Sequence, residues 1–325
     1  MERELYLECY SGISGDMTVA ALLDLGADEK VLMDVLNSLP LTGYHVEINR
    51  VIKSGIDACD FDVVLENQDN HDHDMEYLYG HLHGEHGIEE HNHNYREHLH
   101  HHAGHENEDM HVHQHEHEHH CGHGYQDENH DKYEHQHEHE RHDVHERGRG
   151  HHHHEHRGMK EITEIINKGD MTEGARKLAL HIFDILAHAE SKAHNVPVEE
   201  VHFHEVGAVD SIVDIVSIAV CLDNLNIKEC VVTHLTEGKG TVRCQHGILP
   251  VPVPAVLHIV TDHHIPLEIT DITGELVTPT GAAVVAAIGT THELPKKFNV
   301  EKIGVGAGKR QYECPGILRA MLINT

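Results

Sequence analysis

The chain of 325 residues is poor in aromatic side chains and in positive charge. It contains no Trp and only 4 Phe, and 24 Lys and Arg stand against 56 Asp and Glu, which gives a formal net charge of −32. Nucleic-acid binding needs clustered Lys and Arg to neutralise phosphates, so the composition argues against a nucleic-acid partner. No apolar run reaches the roughly 18 residues that a membrane-spanning helix needs, so no membrane partner is expected either.

Paired cysteines are also lacking. The 7 Cys occur singly, without the CxxC spacing of structural zinc sites or of redox motifs. The amino-terminal segment MERELYLECY has no hydrophobic signal region. These features predict reduced thiols and a cytoplasmic location.

Histidine is abundant, and most of it lies in one stretch. Residues 71–156 hold 30 of the 42 His, together with 21 Asp and Glu, 5 Lys and Arg, and only 6 Leu, Ile or Val. Such a segment buries too little apolar surface to offset the entropy of ordering its backbone. We therefore predict a long, disordered, histidine-rich insertion.

Histidines in this stretch recur at alternate positions, as in His113, His115, His117 and His119, with Glu or Gln between them. A flexible chain can wrap such imidazoles and carboxylates around a borderline divalent ion, and imidazole suits nickel, zinc and copper. Metal binding is the prediction, and a solvated spacer is the alternative. The tract imposes too little geometry to predict which metal it selects.

The flanking segments have the patterns of an α/β fold, with a mixed sheet flanked by helices. Residues 1–70 predict a βααββ lobe, residues 71–158 the insertion, and residues 159–325 an α/β lobe that packs with the first as one globular unit. Predicted helices cover residues 17–25, 28–39, 159–168, 172–194 and a segment that follows residue 207. Predicted strands include residues 4–10, 44–52, 56–66, 201–206, 230–236, 265–269, 300–308 and 316–323.

The first motif is SGISGDM, residues 11–17, where a strand meets a helix through a glycine turn. Such a turn favours an anion at the helix N-terminus, which makes Ser11, Gly12 and Gly15 candidate cofactor-binding residues. The spacing matches neither the Walker nor the dinucleotide motif. Asp16 is expected either to cap the helix or to present a carboxylate to a metal or substrate.

The second motif is VHFHEVGAVDSIVDI, residues 201–215. In an extended segment His202 and His204 share one face and Glu205 the other, and in the following helix Asp210 and Asp214 share a face. The two histidines and two aspartates form a candidate site for nickel, zinc or manganese, with Glu205 and Asp210 as candidate catalytic groups. Backbone capping by the histidines is the structural alternative.

Two later segments are rich in glycine and threonine. EGKGTVRCQHGILPVPVP, residues 237–254, offers Lys239 and Arg243 to a phosphate or carboxylate, or else forms a plain hairpin. In GELVTPTGAA, residues 274–283, Thr278 or Thr280 is expected to cap a helix opened by proline, whose free amides favour an anion.

Taken in order, these motifs and the histidine-rich insertion closely resemble the LarC family of nickel insertion proteins. The resemblance implies insertion of Ni(II) into pyridinium-3,5-bisthiocarboxylic acid mononucleotide, a step in forming the nickel-pincer cofactor of lactate racemase-type enzymes. It implies a CTP-dependent cyclometallase of the lyase class, which forms nickel–carbon and nickel–sulfur bonds. The nucleotide would be accompanied by Mg or Mn.

Two departures accompany the resemblance. Family members usually have Asp where this chain has Glu8. They also continue into a C-terminal domain associated with CTP, which leads us to expect either a truncated member or a separately encoded C-terminal partner. The sequence is also compatible with a homo-oligomer.

Two other functions are compatible with the same residues. One is a nickel metallochaperone or storage protein with no catalytic activity of its own, for which the histidine tract would suffice. The other is a metal-dependent hydrolase of a phosphorylated small molecule, which would use the same carboxylates and histidines.

Overall fold

A computed structural model describes residues 3–66, 75, 78, 157–203, 209–244 and 246–325. Most of the predicted insertion lies outside the described residues, including His113, His115, His117 and His119, as do His204 and Glu205. Arg157 and Gly158, which were predicted to belong to the insertion, instead form a short strand. Within the described part, no helix is long and apolar enough to cross a membrane. The six cysteines of that part are free thiols.

Helices and strands alternate along the chain, as the sequence predicted. The helices are α1 Gly15–Leu25, α2 Glu29–Ser38, α3 Met159–Lys168, α4 Glu173–His194, α5 Val209–Asn224, α6 Pro254–Asp262 and α7 Pro279–Ile288. The strands are β1 Arg3–Glu8, β2 Tyr44–Lys53, β3 Ile56–Leu65, β4 Arg157–Gly158, β5 His202–Phe203, β6 Ile227–Val231, β7 Leu235–Lys239, β8 Thr241–Cys244, β9 Gly247–Pro250, β10 Leu267–Thr273, β11 Asn299–Ala307 and β12 Ile317–Asn324.

The main sheet is mixed, which confirms the predicted fold class. Its six strands follow the order β2-β3-β11-β12-β1-β6, with β1 parallel to β6 and antiparallel to β12. A separate parallel pair joins β7 to β10, and β8 forms a hairpin with β9. Strands before and after the insertion therefore contribute to one sheet.

Helix α1 packs directly on β3, β11 and β12, and two glycines of β11 make this contact close. A Cβ atom at Gly306 would lie 2.1 Å from the carbonyl oxygen of Met17, and one at Gly304 would lie 2.2 Å from that of Ala21. Only glycine permits such an approach of strand to helix backbone. The start of α1 is thereby fixed to the strand that leads into residues 308–316.

Helix α5 lies in the middle of the helical layer, against α1, α2 and α4. After Asp214 it is apolar on nearly every side, from Ile215 to Leu222, and these residues belong to the largest core cluster. A helix that is hydrophobic all round is buried on all sides. Its first turns therefore leave Asp210 and Asp214 only partly exposed.

Two predicted elements need correction, whereas the two closing strands are found where they were predicted. Helix α1 begins at Gly15 and not at residue 17, because Ser14 takes the N-cap position. Residues 230–236 do not form one strand: the chain leaves the main sheet after β6 and starts β7 at Leu235 in the second sheet. The last two strands are joined by residues 308–316, where the Gly308 amide donates to the Gly316 carbonyl oxygen at 2.9 Å.

Candidate functional site

The glycine turn after β1 rests on the segment that precedes α7. The Ile13 amide donates to the Leu276 carbonyl oxygen at 2.9 Å, and the Thr278 amide donates to the Ile13 carbonyl oxygen at 3.1 Å. Gly12 has a φ of +86°, and a Cβ atom there would lie 2.1 Å from the Leu276 oxygen. The Gly12 position thus requires glycine both for its conformation and for the close approach of two backbones.

The start of α1 brings a carboxylate to this turn. Ser14 occupies the N-cap, and its hydroxyl donates to Asp16 Oδ1 in the first helical turn. Asp16 therefore does not cap the helix, one of its two predicted roles, although its negative charge suits the helix N-terminus. A Cβ atom at Gly15 would lie 2.4 Å from Asp214 Oδ2, so this glycine admits the carboxylate of α5.

The N-terminus of α7 forms another wall. Thr278 is its N-cap, and the Gly281 amide donates to Thr278 Oγ1 at 3.1 Å. Pro279 fills the first helical position, where its missing amide hydrogen costs nothing. Of the two predicted caps, Thr278 is confirmed, whereas Thr280 is buried within the first turn of the helix.

Positive charge comes from the segment between β11 and β12, which the sequence analysis did not single out. Lys309 Nζ lies 2.6 Å from Asp60 Oδ1 and 3.5 Å from Asp62 Oδ2. Arg310 Nη1 lies 2.6 Å from Glu275 Oε2. Both cations are mostly buried, so these ion pairs fix their side chains near the turn.

These elements enclose a cleft of about 60 Å³. Its lining consists of Ser11, Ser14, Asp16, Met17, Glu275, Leu276, Thr278, Gly308, Lys309, Arg310, Tyr312 and Gly316. Pockets that enclose a whole drug-sized ligand measure roughly 300–1,000 Å³. The cleft therefore fits one small polar group, such as a phosphate, with donors and a carboxylate on its walls.

A cluster of aspartates lies beside the cleft. Burial raises the pKa of Asp214 well above its usual value, and the negative charges of Asp16, Asp210 and Asp62 raise it further, while Lys309 lowers it. Within the described residues, no group forms a hydrogen bond with the buried Asp214 Oδ1. Asp214 therefore favours its protonated form, or a cation that would replace the proton.

The predicted metal ligands are only partly brought together. Asp210 and Asp214 lie near Asp16. The exposed His202 lies in β5, where it pairs with Gly158 and is close to Glu161. Across residues 3–66, 157–203, 209–244 and 246–325, no three His, Cys, Asp or Glu side chains converge on a common metal position. Any complete site thus needs a ligand from outside those ranges, such as the predicted His204.

The predicted phosphate contacts lie elsewhere. Lys239 Nζ pairs with Asp271 Oδ1 at 2.6 Å at the end of β7, and Arg243 is exposed on β8. Neither lines the cleft, so their proposed contact with a ligand stays a prediction. The signal for the cleft cations is the run GVGAGKRQY, residues 304–312, in which alternating glycines precede a Lys-Arg pair.

A buried glutamate outside the cleft holds one of the lining segments in place. Glu237 is fully buried in β7, and its Oε1 accepts hydrogen bonds from the amides of Gly238, Leu276 and Val277 at 2.8, 2.7 and 3.2 Å. Burial raises the pKa of Glu237 to about 7, and the three amide bonds oppose this rise. The carboxylate thus tethers the lining segment 275–278 to the second sheet.

Comparison with known proteins gives one consistent result. A family model described as "Nickel insertion protein" matches residues 5–325. Three similar proteins are each named pyridinium-3,5-bisthiocarboxylic acid mononucleotide nickel insertion protein. That of Alkaliphilus metalliredigens is 46% identical over 99% of this chain and 61% of its own length.

The other two relatives agree with this pattern. The protein of Clostridium acetobutylicum is 37% identical over 98% of this chain and 64% of its own length. That of Acetivibrio thermocellus is 32% identical over 99% of this chain and 60% of its own length. The chain therefore spans about three fifths of the length of these relatives, and no solved structure matches it. Since one family model covers nearly every residue, the resemblance found in the motifs is confirmed, and the chain belongs to the nickel insertion protein family.

Proposed function

We propose that this protein binds Ni(II) and inserts it into pyridinium-3,5-bisthiocarboxylic acid mononucleotide, the compound in the names of its relatives. The main support is the cleft in which Asp16 faces the same space as Lys309 and Arg310, beside the buried Asp214. To join a divalent cation to an anionic nucleotide, a site needs acidic and basic side chains that are close enough together to contact the same small molecule.

The basic wall is the proposed phosphate side. Lys309 and Arg310 are held in place by acidic partners, and the Ser11 hydroxyl and the N-terminus of α7 at Thr278 lie in the same cleft. Helix N-termini and basic side chains together favour a phosphate. Gly12 contributes through its close packing on Leu276, whereas Gly15 contributes on the acidic side, where it leaves space for Asp214.

The acidic wall is the proposed nickel side. Asp210 and Asp214 are candidate ligands, together with the predicted His202 and His204, because carboxylates and imidazoles bind nickel. The raised pKa of Asp214 means that an arriving cation would displace a proton from this carboxyl. The histidine tract, with His113, His115, His117 and His119, would collect the ion and deliver it here.

Formation of the nickel–carbon bond breaks a carbon–hydrogen bond of the pyridinium ring, and the released proton needs an acceptor. Asp16 is the proposed acceptor because its carboxylate lines the cleft and receives the Ser14 hydroxyl, which orients it. Glu205 and Asp210 are the other proposed bases. CTP, with Mg or Mn, is proposed to act through the remaining part of the longer family members or a separate partner.

Incubation of the purified protein with Ni(II) and the unmetallated nucleotide, with and without CTP and Mg, tests the proposal. Mass spectrometry should show a product that gained nickel and lost a proton. The Asp16→Asn variant should lower its yield at least about tenfold because the proton acceptor is lost. Asp34→Asn, at an exposed position of α2, is the matched control. Absence of metallated product under all conditions, with a C-terminal partner also supplied, would refute insertion.

A pair of further variants separates insertion from storage. Replacing His202, His204 and Asp210 together should abolish product, whereas deletion of residues 71–156 should only raise the nickel concentration needed. The reverse pattern, with product lost only on deletion of the tract, would identify a storage protein. Release of inorganic phosphate from the nucleotide without nickel uptake would instead identify a hydrolase.

A further inference from the structure

Two aromatic rings form an exposed stack next to the cleft. The ring centroids of Tyr10 and His234 are 5.1 Å apart, with an interplanar angle of 21°. Tyr10 is 51% exposed. One face of its ring is covered by His234, so much of the exposed surface belongs to the other face.

The stack is held in place by hydrogen bonds. His234 Nδ1 lies 3.1 Å from Thr233 Oγ1, and its Nε2 lies 3.1 Å from Glu268 Oε2. The buried Tyr6 lies close enough to Tyr10 and Thr233 for their side chains to affect its pKa. Neither ring is therefore free to rotate, and a ring held in a fixed orientation loses little entropy when a ligand stacks on it.

The position of the stack in the fold points to a ligand. Tyr10 follows β1 and His234 follows β6, and these two strands are parallel neighbours in the main sheet. Ligands of α/β proteins bind in the crevice at the carboxyl ends of parallel strands. Tyr10 is also directly followed by Ser11, which lines the cleft. The stack and the cleft thus meet at two consecutive residues of one turn.

The electron-rich face of the Tyr10 ring favours a cationic ring over a neutral one. The Glu268 carboxylate contacts His234, and the negative charge of Glu8 reaches Tyr6 beneath the stack, although Arg319 pairs with Glu8. The face of a tyrosine ring is itself electron-rich and attracts cations. A pyridinium ring combines a flat aromatic surface with a positive charge, which matches both properties.

We propose that the open face of Tyr10, supported by His234, stacks against the pyridinium ring of the mononucleotide while its phosphate is held by the basic wall of the cleft. The inference rests on the proposed function, which supplies the class of ligand. Tyr10 would then select the ring, and Lys309 with Arg310 would bind the phosphate common to all mononucleotides.

Calorimetric titration with three commercial probes tests this division. Nicotinic acid mononucleotide carries a pyridinium ring, cytidine monophosphate a neutral base, and ribose 5-phosphate no base. The wild-type protein should bind the pyridinium probe about tenfold more tightly than ribose 5-phosphate, the typical effect of one stacked ring. Tyr10→Leu should remove this difference, and Tyr10→Phe should keep it. Both variants lose the same hydroxyl, so only the aromatic face distinguishes them.

The outcomes separate the two proposals. Equal binding of the pyridinium probe to wild type and Tyr10→Leu would overturn the stacking role and leave the proposed function intact. An equal loss for cytidine monophosphate and the pyridinium probe would overturn the preference for a cationic ring. Failure of the wild-type protein to bind any phosphorylated probe would overturn the proposed phosphate side, and stacking with it. Thermal unfolding of each variant checks that the exposed substitution leaves the fold unchanged.

Discussion

Glu237 links the stability of the protein to pH. Its carboxyl group is fully buried, and burial raises its pKa from 4.5 in the unfolded chain to about 7 in the folded protein. A group with a raised folded pKa contributes stability that is complete below the unfolded pKa and is lost as pH rises through the folded pKa. The relevant window therefore runs from about pH 4.5 to slightly above pH 7.

The Glu237→Gln variant isolates this effect, because glutamine keeps the shape of the protonated acid and never ionises. With pKa values of 4.5 and about 7, ionisation lowers the free energy of unfolding by about 2.5 kcal/mol between pH 5 and pH 8. In a domain of 150–250 residues each kcal/mol corresponds to roughly 2–4 °C in melting temperature. We expect wild type and variant to melt together near pH 5, and the variant to melt about 5–10 °C higher at pH 8.

Differential scanning calorimetry across this pH range makes the measurement. Subtracting the wild-type curve from the variant curve cancels the titration of the many histidines, which both proteins share. Glu293→Gln, at an exposed position, is the matched control and should follow wild type throughout. Parallel curves for Glu237→Gln and wild type would show that Glu237 titrates in the folded protein as it does in water, and would refute the reasoning.

Two further predictions concern packing and charge at the start of α1. Gly306→Ala should lower the free energy of unfolding by more than about 2 kcal/mol, because its Cβ atom would meet the Met17 carbonyl oxygen. Chemical denaturation measures this loss, and an unchanged free energy of unfolding would contradict it. Asp214→Asn removes a buried acid with a raised pKa, so its stability relative to wild type should increase with pH in thermal melts. A constant difference would contradict the second prediction.

Much of the fold was predictable because it depends on local patterns. Thr172 and Thr278 cap helices that the sequence placed at almost the same residues, and hairpin β2–β3 turns between the two strands predicted at residues 44–52 and 56–66. The error at residues 230–236 has a non-local cause. β6 pairs with β1 and β7 with β10, and the partner strands are far away in the chain.

The site was predictable on its acidic side but not on its basic side. Asp16, Asp210 and Asp214 stood out because they follow glycine turns at helix starts. Lys309 and Arg310 gave no comparable signal, since their role depends on β11 packing against α1 and on acidic partners remote in sequence. Lys239, in contrast, lies in a glycine-rich loop that does not line the cleft, so its contact with an anion stays a prediction.

The glycine contact between β11 and α1 also limits which residues can be varied in protein engineering. Gly304 and Gly306 allow the strand to pack directly on the helix backbone. The acidic and basic walls of the cleft are therefore carried by two elements that are in close contact. A variant library aimed at a different metal or a different ring should therefore hold these two glycines constant. Diversity is better placed at Tyr10 and Ser11, the proposed ligand contacts, which lie outside this glycine contact.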